Sequence, residues 1–353
     1  MILDRLDTEI LHILKEDPRN VSAIARKLRI PVETVRYRLK RMLDNGFIRP
    51  FAIPNFPRLG LTALMAFLES KFWRDLEDLL DSHPYVTYIS RCYGQVNGYL
   101  VNMLSPREEE SSVYGFFREL EGVSDNIKRV MITPILPLRY PLPRFDKYYD
   151  YRNGRWRFTW NPLLKVSPSR APSNLTPSKA HLDHVDIVVV KKLQSNAMVS
   201  LSELAEALGV SVTCVRYHFL NHIMRGGLVN YAVRYLPYPG TPLSVFVIEL
   251  TREEYVGGLI KAAEGLPPIV ALTNSLRENL AILFLQAPMS IKLGFYEALK
   301  RLMDGGIVSS YFEAILDPRY VRKYTIPEPE YYEDGKWISD VAVPKLKTLK
   351  ARG

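Results

Sequence analysis

Apolar residues recur at helical spacing in three runs near the start of the chain, over residues 3–14, 21–28 and 35–43. Pro31 lies between the second and third runs and suits the first position of a helix. After the third run, residues 47–53 are predicted to start a strand or wing. A short helix, a tight turn and a third helix form a helix-turn-helix, whose last helix enters the DNA major groove. The opening 50 residues therefore predict a winged helix-turn-helix.

The same pattern returns later, because residues 182–233 repeat the plan of residues 3–53. A period this long is too large for a solenoid repeat, so the repeated unit is predicted to be of domain size. Three matches at nearly one offset anchor the repeat: Asp4 with Asp183, Val35-Arg36-Tyr37 with Val215-Arg216-Tyr217, and Gly154-x-Trp156 with Gly335-x-Trp337.

A strand-helix-strand-strand-helix-strand pattern follows each helical unit. In the first copy it comprises residues 61–69, 72–81, 85–93, 98–104, 107–120 and 128–136. In the second copy it comprises residues 243–250, 252–264, 269–275, 280–285, 291–303 and 307–316. The βαββαβ order gives a four-stranded sheet with both helices on one face. Because the other face must be covered, we expect it to meet the matching sheet in an intramolecular pseudo-dimer, and the predicted fold class is α+β.

These patterns divide the chain into six predicted segments. They are a winged helix-turn-helix at 1–54, a βαββαβ domain at 55–140, a basic and aromatic hairpin with a Pro/Ser-rich linker at 141–180, a second winged helix-turn-helix at 181–236, a second βαββαβ domain at 237–320, and a hairpin with a basic tail at 321–353.

Composition narrows the class of protein. The length of 353 residues suggests two to four domains, and no apolar run approaches the roughly 20 residues of a membrane span. The charged start does not resemble a signal peptide, and two cysteines are too few for a disulfide framework, so we expect a cytoplasmic protein with no membrane partner.

The net charge of +9 is unevenly placed. Residues 1–50 hold 11 Lys/Arg against 7 Asp/Glu, residues 141–180 hold 8 against 2, and residues 181–230 hold 4 against 4. A basic excess on the first copy and on the linker favours a polyanion partner, although a solvated basic face would give the same counts.

The exposed side of each third helix carries the candidate DNA contacts. Arginine suits paired contacts to guanine, while Lys and Thr suit phosphates or base edges. The first copy offers Glu33, Thr34, Arg36, Tyr37, Arg38, Lys40 and Arg41. The second copy, which is less basic, offers Thr213, Arg216, Tyr217 and Asn221.

The helix-turn-helix with VRYRLKR, the LDRLDTEIL start and the βαββαβ module resemble the Lrp/AsnC (feast/famine) transcription regulators. The resemblance covers residues 1–138 and 180–318, and implies ferredoxin-like, RAM-type sensing domains, a double-stranded DNA partner and a small-molecule effector. It places an effector site at a glycine-rich turn, here Gly94, Asn97 and Gly98. An ordinary hairpin turn explains these residues equally well. Family members normally dimerise, whereas this chain supplies both halves, and a further homodimer is left open.

Residues 141–160 of the linker interleave basic and aromatic side chains, which can grip phosphates and stack on bases. Because part of this stretch recurs in acidic form near residue 332, a structural hairpin is the favoured interpretation. Together with the basic tail (Lys345, Lys347, Lys350 and Arg352), the linker supports an alternative function, that of an architectural DNA-binding protein.

A metal site is not predicted. Cys214, His218 and His222 line one helix face, but their first-copy counterparts are Thr34, Arg38 and Met42. Three ligands from one straight helix would span about 12 Å of rise, too far for one ion, although neighbouring pairs could bind. We expect no metal and no cofactor.

An enzyme is also considered, because the scaffold resembles the siroheme decarboxylases, which pair copies of a similar unit. That resemblance implies a histidine near the turn between the second and third strands. The matching stretches, SRCYGQVNGYLV at 90–101 and TNSLRENLAILF at 273–284, contain none. The chain has no glycine-rich phosphate loop or nucleophile elbow either, so the prediction is a regulator without enzymatic activity.

Overall fold

The structure is a computed structural model, and it describes residues 2–71, 74–122, 127–170, 179–339 and 341. The first copy contains helices α1 Arg5–Leu14, α2 Val21–Leu28, α3 Val32–Asp44, α4 Arg74–Ser82, α5 Glu110–Glu121 and α6 Phe145–Tyr148, and strands β1 Ile48–Pro54, β2 Leu61–Glu69, β3 Val86–Gly94, β4 Gly98–Pro106, β5 Lys128–Ile135, β6 Tyr149–Asp150 and β7 Arg155–Trp156. The second copy contains helices α7 His184–Ser195, α8 Leu201–Leu208, α9 Val212–Tyr217, α10 Glu253–Ala263 and α11 Met289–Asp304, and strands β8 Val229–Tyr235, β9 Leu243–Leu250, β10 Ile269–Asn274, β11 Leu280–Gln286, β12 Val308–Lys323, β13 Tyr332–Glu333 and β14 Lys336–Trp337.

In the part of the chain that the structure describes, no helix combines the length and the apolar character that crossing a membrane requires.

Each helical unit closes around the apolar residues that the sequence pattern selects. In the first copy, Ile10, Leu11, Ile24, Val35 and Met42 are each at most 1% exposed. Burial of a large aliphatic side chain stabilises the fold by about 1.5–3 kcal/mol, so this small cluster holds the three helices together. The predicted helix-turn-helix arrangement is confirmed in both copies.

The two α/β units share one eight-stranded sheet. The strand order is β10-β11-β9-β12-β3-β4-β2-β5, so each copy keeps the ferredoxin-like order and β12 of the second copy pairs with β3 of the first. At the far ends, isolated bridges join Ile135 to Ser275 and Arg139 to Leu272. The rings of Phe67 and Phe312, which come from different copies and non-adjacent strands, lie 5.1 Å apart. The two halves of the sheet therefore face each other across a shared core, and the predicted α+β pseudo-dimer is confirmed.

The last strand is longer than the sequence pattern predicts. The pattern ends the strand at residue 316, whereas β12 continues to Lys323. After an irregular stretch, Val321 to Lys323 pair with Ser90 to Tyr88 on the first copy. The extension exists because its hydrogen-bonding partner lies more than 200 residues away, which local alternation cannot reveal.

The predicted wings form one ribbon between the copies. Strands β1 and β8 pair with each other in antiparallel register from Ile48–Tyr235 to Pro54–Val229. Within the described residues these two strands make up a separate two-stranded sheet. The ribbon ties the two helix-turn-helix units directly together, so neither wing is a free hairpin.

The linker hairpin is part of the fold. Phe145 and Tyr149 are buried in the core of the first helical unit, and Trp156 packs against that core. Farther along, the indole N–H of Trp160 donates a hydrogen bond to the backbone oxygen of Ile291, at 3.0 Å. These contacts support the structural interpretation of the aromatic residues. Residues 171–178 of the predicted tether and the basic tail lie outside the described residues.

Candidate nucleic-acid interface

Both first helices begin with the same reciprocal cap. The Asp4 carboxylate accepts a hydrogen bond from the Asp7 backbone N–H at 2.8 Å, and the Asp7 carboxylate accepts one from the Asp4 backbone N–H at 3.0 Å. The second copy repeats this arrangement with Asp183 and Asp186. Such a cap satisfies donors at the helix start. It also leaves one fully buried aspartate in each unit, facing the third helix.

Helix α3 presents a polar and aromatic face to solvent. Arg36, Tyr37 and Lys40 are exposed, with Tyr37 at 69%, and the buried side of the helix is formed by Val35, Leu39 and Met42. The Arg36 guanidinium lies 2.6 Å from the Glu33 carboxylate, one turn earlier. An exposed pair of this kind contributes little to stability, so Arg36 can exchange it for a phosphate or a base.

Arg38 and Arg41 point instead toward the start of α1. Arg38 lies 2.6 Å from Asp4 and 2.8 Å from Asp7, and Arg41 lies 2.5 Å from Asp7. Burial raises the pKa of Asp4, but the hydrogen bonds from Arg38 and from the Asp7 backbone, together with the charges of Arg38 and Arg41, outweigh burial and hold that pKa below its ordinary value. These two predicted DNA contacts therefore also fix α3 against α1, which sequence spacing alone did not indicate.

The third helix of the second copy differs by one residue. Val35 matches Val215 at an offset of 180, whereas the positive-φ glycines Gly46 and Gly227 match at 181. The additional residue is absorbed where α9 continues as a π-helical turn, His218–Arg225. A π-bulge accommodates a single insertion without breaking the helix.

The inserted residue changes the correspondence between the copies. Buried Met42 matches buried Ile223, which moves His222 to the place of Arg41. The sequence comparison paired His222 with Met42 because it assumed an uninterrupted offset.

The exposed face of this helix is less basic than that of α3. Thr213, Arg216 and Tyr217 are exposed, while Asn221 is partly buried and accepts a hydrogen bond from Arg225 at 3.1 Å. Leu220 adds an apolar side chain that is 48% exposed. The two copies therefore present different surfaces on matching elements.

The candidate effector residues form a tight turn at the contact between the copies. The Asn97 amide N–H donates to the backbone oxygen of Gly94 at 3.1 Å. A Cβ added at Gly98 would lie 2.1 Å from the backbone oxygen of Leu68, so glycine is required there by packing. The side chain of Gln95 accepts a hydrogen bond from the Glu313 backbone N–H at 2.7 Å. Close packing accounts for Gly98, and a φ of +115° accounts for Gly94.

The matching turn of the second copy is filled by its own side chains. Ser275 hydrogen-bonds to Thr133 at 2.7 Å and to Glu278 at 2.9 Å. Arg277 pairs with Glu110 on α5 at 2.5 Å. This turn is therefore a polar contact between the copies, in agreement with its lack of glycine.

A small cavity lies beside β2, lined by residues that include Phe56, Leu61, Arg107 and Leu276. Its volume of about 20 Å³ suits a single water molecule and is too small for an amino acid.

Parts of this chain are similar to known proteins. The winged helix-turn-helix DNA-binding family matches residues 3–49. An uncharacterised HTH-type transcriptional regulator from Pyrococcus furiosus is 47% identical over 144 residues, which cover 38% of this chain and 95% of the relative. A transcriptional regulatory protein from the same organism, a member of the AsnC family, covers 37% of this chain and 88% of its own at 22% identity and a TM-score of 0.30.

One solved structure covers both copies at once. The siroheme decarboxylase NirDL aligns over 99% of each chain, with a TM-score of 0.55 and 16% identity. At this identity the likeness concerns the fold, and it supports the duplicated architecture. It also overturns the prediction that this chain is no enzyme, because the same full-length architecture is found in an enzyme. The absence of a histidine from the two strand turns is not sufficient ground for that prediction.

The match to the Pyrococcus furiosus relative covers 95% of that protein but only 38% of this chain. The chain therefore has room for two such units, and the fold contains two. Both the matched helix-turn-helix and the α/β modules are those expected from the sequence. The chain therefore belongs to the HTH-type, DNA-binding transcriptional regulators, with two of their units in one polypeptide, in agreement with the resemblance to the Lrp/AsnC family that the sequence indicates.

Proposed function

We propose that this regulator reads double-stranded DNA mainly through the exposed face of α3. Arg36 and Lys40 supply the charge, and Tyr37 and Thr34 supply contacts to base edges, with Glu33 orienting Arg36 through their ion pair. Arg38 and Arg41 contribute indirectly, because their ion pairs with Asp7 hold α3 at a fixed angle to α1. The observation that carries the proposal is that three polar or aromatic side chains on one face of α3 are exposed while its two other arginines are engaged.

The second copy supplies a weaker contact in this proposal. Thr213, Arg216, Tyr217 and Asn221 occupy the matching helix, where the basic Lys40 has no equivalent. Because phosphate contacts by Lys and Arg dominate affinity, we expect the first copy to contribute most of the binding free energy. A DNA partner also fits the cytoplasmic localisation expected from the sequence.

The test is fluorescence anisotropy with duplex DNA over a salt series, for the wild type and for Arg36→Ala/Lys40→Ala. We expect the double variant to bind at least tenfold more weakly, with the slope of log affinity against log salt reduced by about 1 to 2. Arg252→Ala/Lys300→Ala is the matched control, because it removes the same charge from exposed side chains on the α/β domain.

An equal loss of DNA affinity in the control would show that the net charge of the protein, and not the face of α3, explains the weaker binding. Binding unchanged by Arg36→Ala/Lys40→Ala would overturn the contact surface and favour the architectural alternative.

The effector part of the proposal concerns the Gly94–Gly98 turn of the first copy. A small molecule bound there would contact Asn97, and Glu313 on β12 of the other copy, so it would act at the contact between the halves. Titrating each amino acid against the protein–DNA complex tests this. We expect one of them to change the affinity for DNA in the wild type and to have no effect on Asn97→Ala. No response to any amino acid would count against amino-acid sensing at this turn.

A further inference from the structure

A cluster of two aspartates and two histidines lies between the first and third helices of the second copy. One ligand atom from each of Asp183, Asp186, His218 and His222 lies within 4.8 Å of the others. The Nδ1 atoms of both histidines lie 3.0 Å from the same Asp186 carboxylate oxygen, and His218 Nδ1 lies 3.5 Å from Asp183. Cys214, which the sequence placed on the same helix face, is not part of the cluster.

The matching cluster of the first copy shows how the negative charge of the two aspartates is balanced there. There, Asp4 and Asp7 face Arg38 and Arg41, so two carboxylates meet two permanent positive charges. In the second copy the same two carboxylates remain, while both arginines are replaced by histidines. An imidazole has no permanent charge, unlike a guanidinium. A divalent cation would restore the balance that the first copy has.

The donor atoms suit a transition metal. Imidazole nitrogen and carboxylate oxygen bind Zn²⁺ at about 2.0–2.2 Å, so the donors of a tetrahedral site lie about 3.4 Å apart. The observed separations of 2.9 to 3.5 Å between Nδ1 and carboxylate atoms are close to that spacing. Binding would replace the protons shared between histidine and aspartate, and donor atoms that now lie up to 4.8 Å apart would move closer together by up to about 1.4 Å.

The cluster is mostly buried but remains open to solvent on the side of Asp183. The Asp186 side chain is 1% exposed and that of His218 is 12% exposed, whereas Asp183 is 48% exposed. A buried carboxylate is costly unless it is paired, which favours a bound cation. The π-helical turn is part of the site, because the inserted residue is what puts His222 beside His218, with ring centroids 4.8 Å apart.

We propose that Asp183, Asp186, His218 and His222 bind one divalent transition-metal ion, of the Zn²⁺ class, which fastens the third helix of the second copy to α7. The metal takes the structural part that Arg38 and Arg41 have in the first copy. The site thereby makes the geometry of one DNA-binding unit, and not of the other, dependent on metal. Metal binding at this cluster does not depend on the proposed DNA contacts.

The experiment uses the full chain after removal of metal. Co²⁺ is titrated while its visible absorption is followed, and Zn²⁺ is then titrated as competitor. We expect one ion per chain, a tetrahedral Co²⁺ spectrum, displacement by Zn²⁺ and a higher Tm with Zn²⁺.

The decisive variant is His218→Arg/His222→Arg, which introduces arginines at the positions that Arg38 and Arg41 have in the first copy. It should fold without metal, because Arg–Asp pairs replace the ion, and it should lose the Co²⁺ spectrum and the Zn²⁺-dependent rise in Tm. His184→Ala, on the same helical unit but outside the cluster, is the control and should keep both.

Co²⁺ or Zn²⁺ binding that is unchanged in His218→Arg/His222→Arg would overturn the proposal, as would the absence of stoichiometric binding by the wild type. If acid stabilises the wild type and metal does not, the cluster holds protons, and the metal site is likewise overturned.

Discussion

At the scale of single residues, the buried aspartate of each helical unit decides how the third helix is held. Asp7 and Asp186 occupy the same place in the same cap, yet one faces two arginines and the other two histidines. The repeated Asp-x-x-Asp spacing is visible in the sequence. Their partners, more than 30 residues away, were not predicted because helical periodicity reports only which residues share a face.

The first-copy cluster gives a prediction for stability. Asp7→Asn leaves Arg38 and Arg41 against a neutral group, and we expect a loss of about 3 kcal/mol in the free energy of unfolding. Urea unfolding followed by circular dichroism measures this. Asp4→Asn is the control, since its side chain is 53% exposed and asparagine also caps helices, and it should cost under about 1 kcal/mol. Equal losses of stability in the two variants would show that the ion pairs of buried Asp7 contribute no more than those of exposed Asp4.

A second residue-scale prediction concerns pH. Burial lowers the pKa of His83 to about 4, from an ordinary value of 6.5, and its ring packs 4.6 Å from that of Phe116. A histidine whose folded pKa is lowered stabilises the fold above the unfolded pKa. We therefore expect the free energy of unfolding to fall as pH drops from about 6.5 toward 4, by about 3 kcal/mol.

His83→Asn isolates this contribution. The asparagine oxygen can still accept the hydrogen bond that the Tyr85 backbone N–H now donates to His83 Nδ1, but it does not titrate. Urea unfolding between pH 4 and 7 should therefore give a flatter pH dependence for the variant. Parallel curves for the two proteins would assign the acid sensitivity to other groups.

At the scale of elements, the helices and strands follow the sequence pattern closely, and the exceptions have physical causes. Strand β2 was predicted with the bounds it has, because its alternation and flanking turns are local. The π-helical turn was not predicted, since an inserted residue can be absorbed at many positions and only packing against the first helix selects one. The ribbon of β1 and β8 was missed for a related reason: each strand finds its partner in the other copy.

Two glycines give opposite predictions at this scale. Gly98→Ala would place a Cβ 2.1 Å from the backbone oxygen of Leu68, and we expect a loss of about 3 kcal/mol or more. Gly115 lies within α5 with nothing within 4 Å of an added Cβ, so Gly115→Ala should raise stability by about 0.5–1 kcal/mol. Thermal unfolding of both variants measures the difference. A neutral Gly98→Ala would show that strands β2 and β4 can separate locally.

At the scale of the whole molecule, duplication and the α+β class followed from the sequence, because three distant anchors share one offset. How the halves join did not follow from it. The pairing of β12 with β3 merges the two sheets at their edges, in addition to the expected contact between their faces. The candidate DNA face followed from helical periodicity, whereas the difference between the exposed Arg36 and the two arginines paired with Asp7 depended on contacts across the unit.

The unequal third helices give a prediction for the DNA target. Because α3 is basic and its counterpart exposes Leu220, we expect selection from random duplexes to return an asymmetric site with one strong half. Arg216→Ala should weaken binding less than Arg36→Ala. Selection that returned only perfect palindromes at one chain per site would contradict this prediction.

The antiparallel ribbon of β1 and β8, which sets Arg49 opposite Arg234, joins two stretches of one polypeptide. In a symmetric dimer every substitution is made twice, so a change that improves one half-site alters the other as well. Here a mutation is made once. Each half can thus acquire its own target preference or its own chemical trigger while the other stays as it was, and the two halves always occur in equal numbers, however dilute the protein.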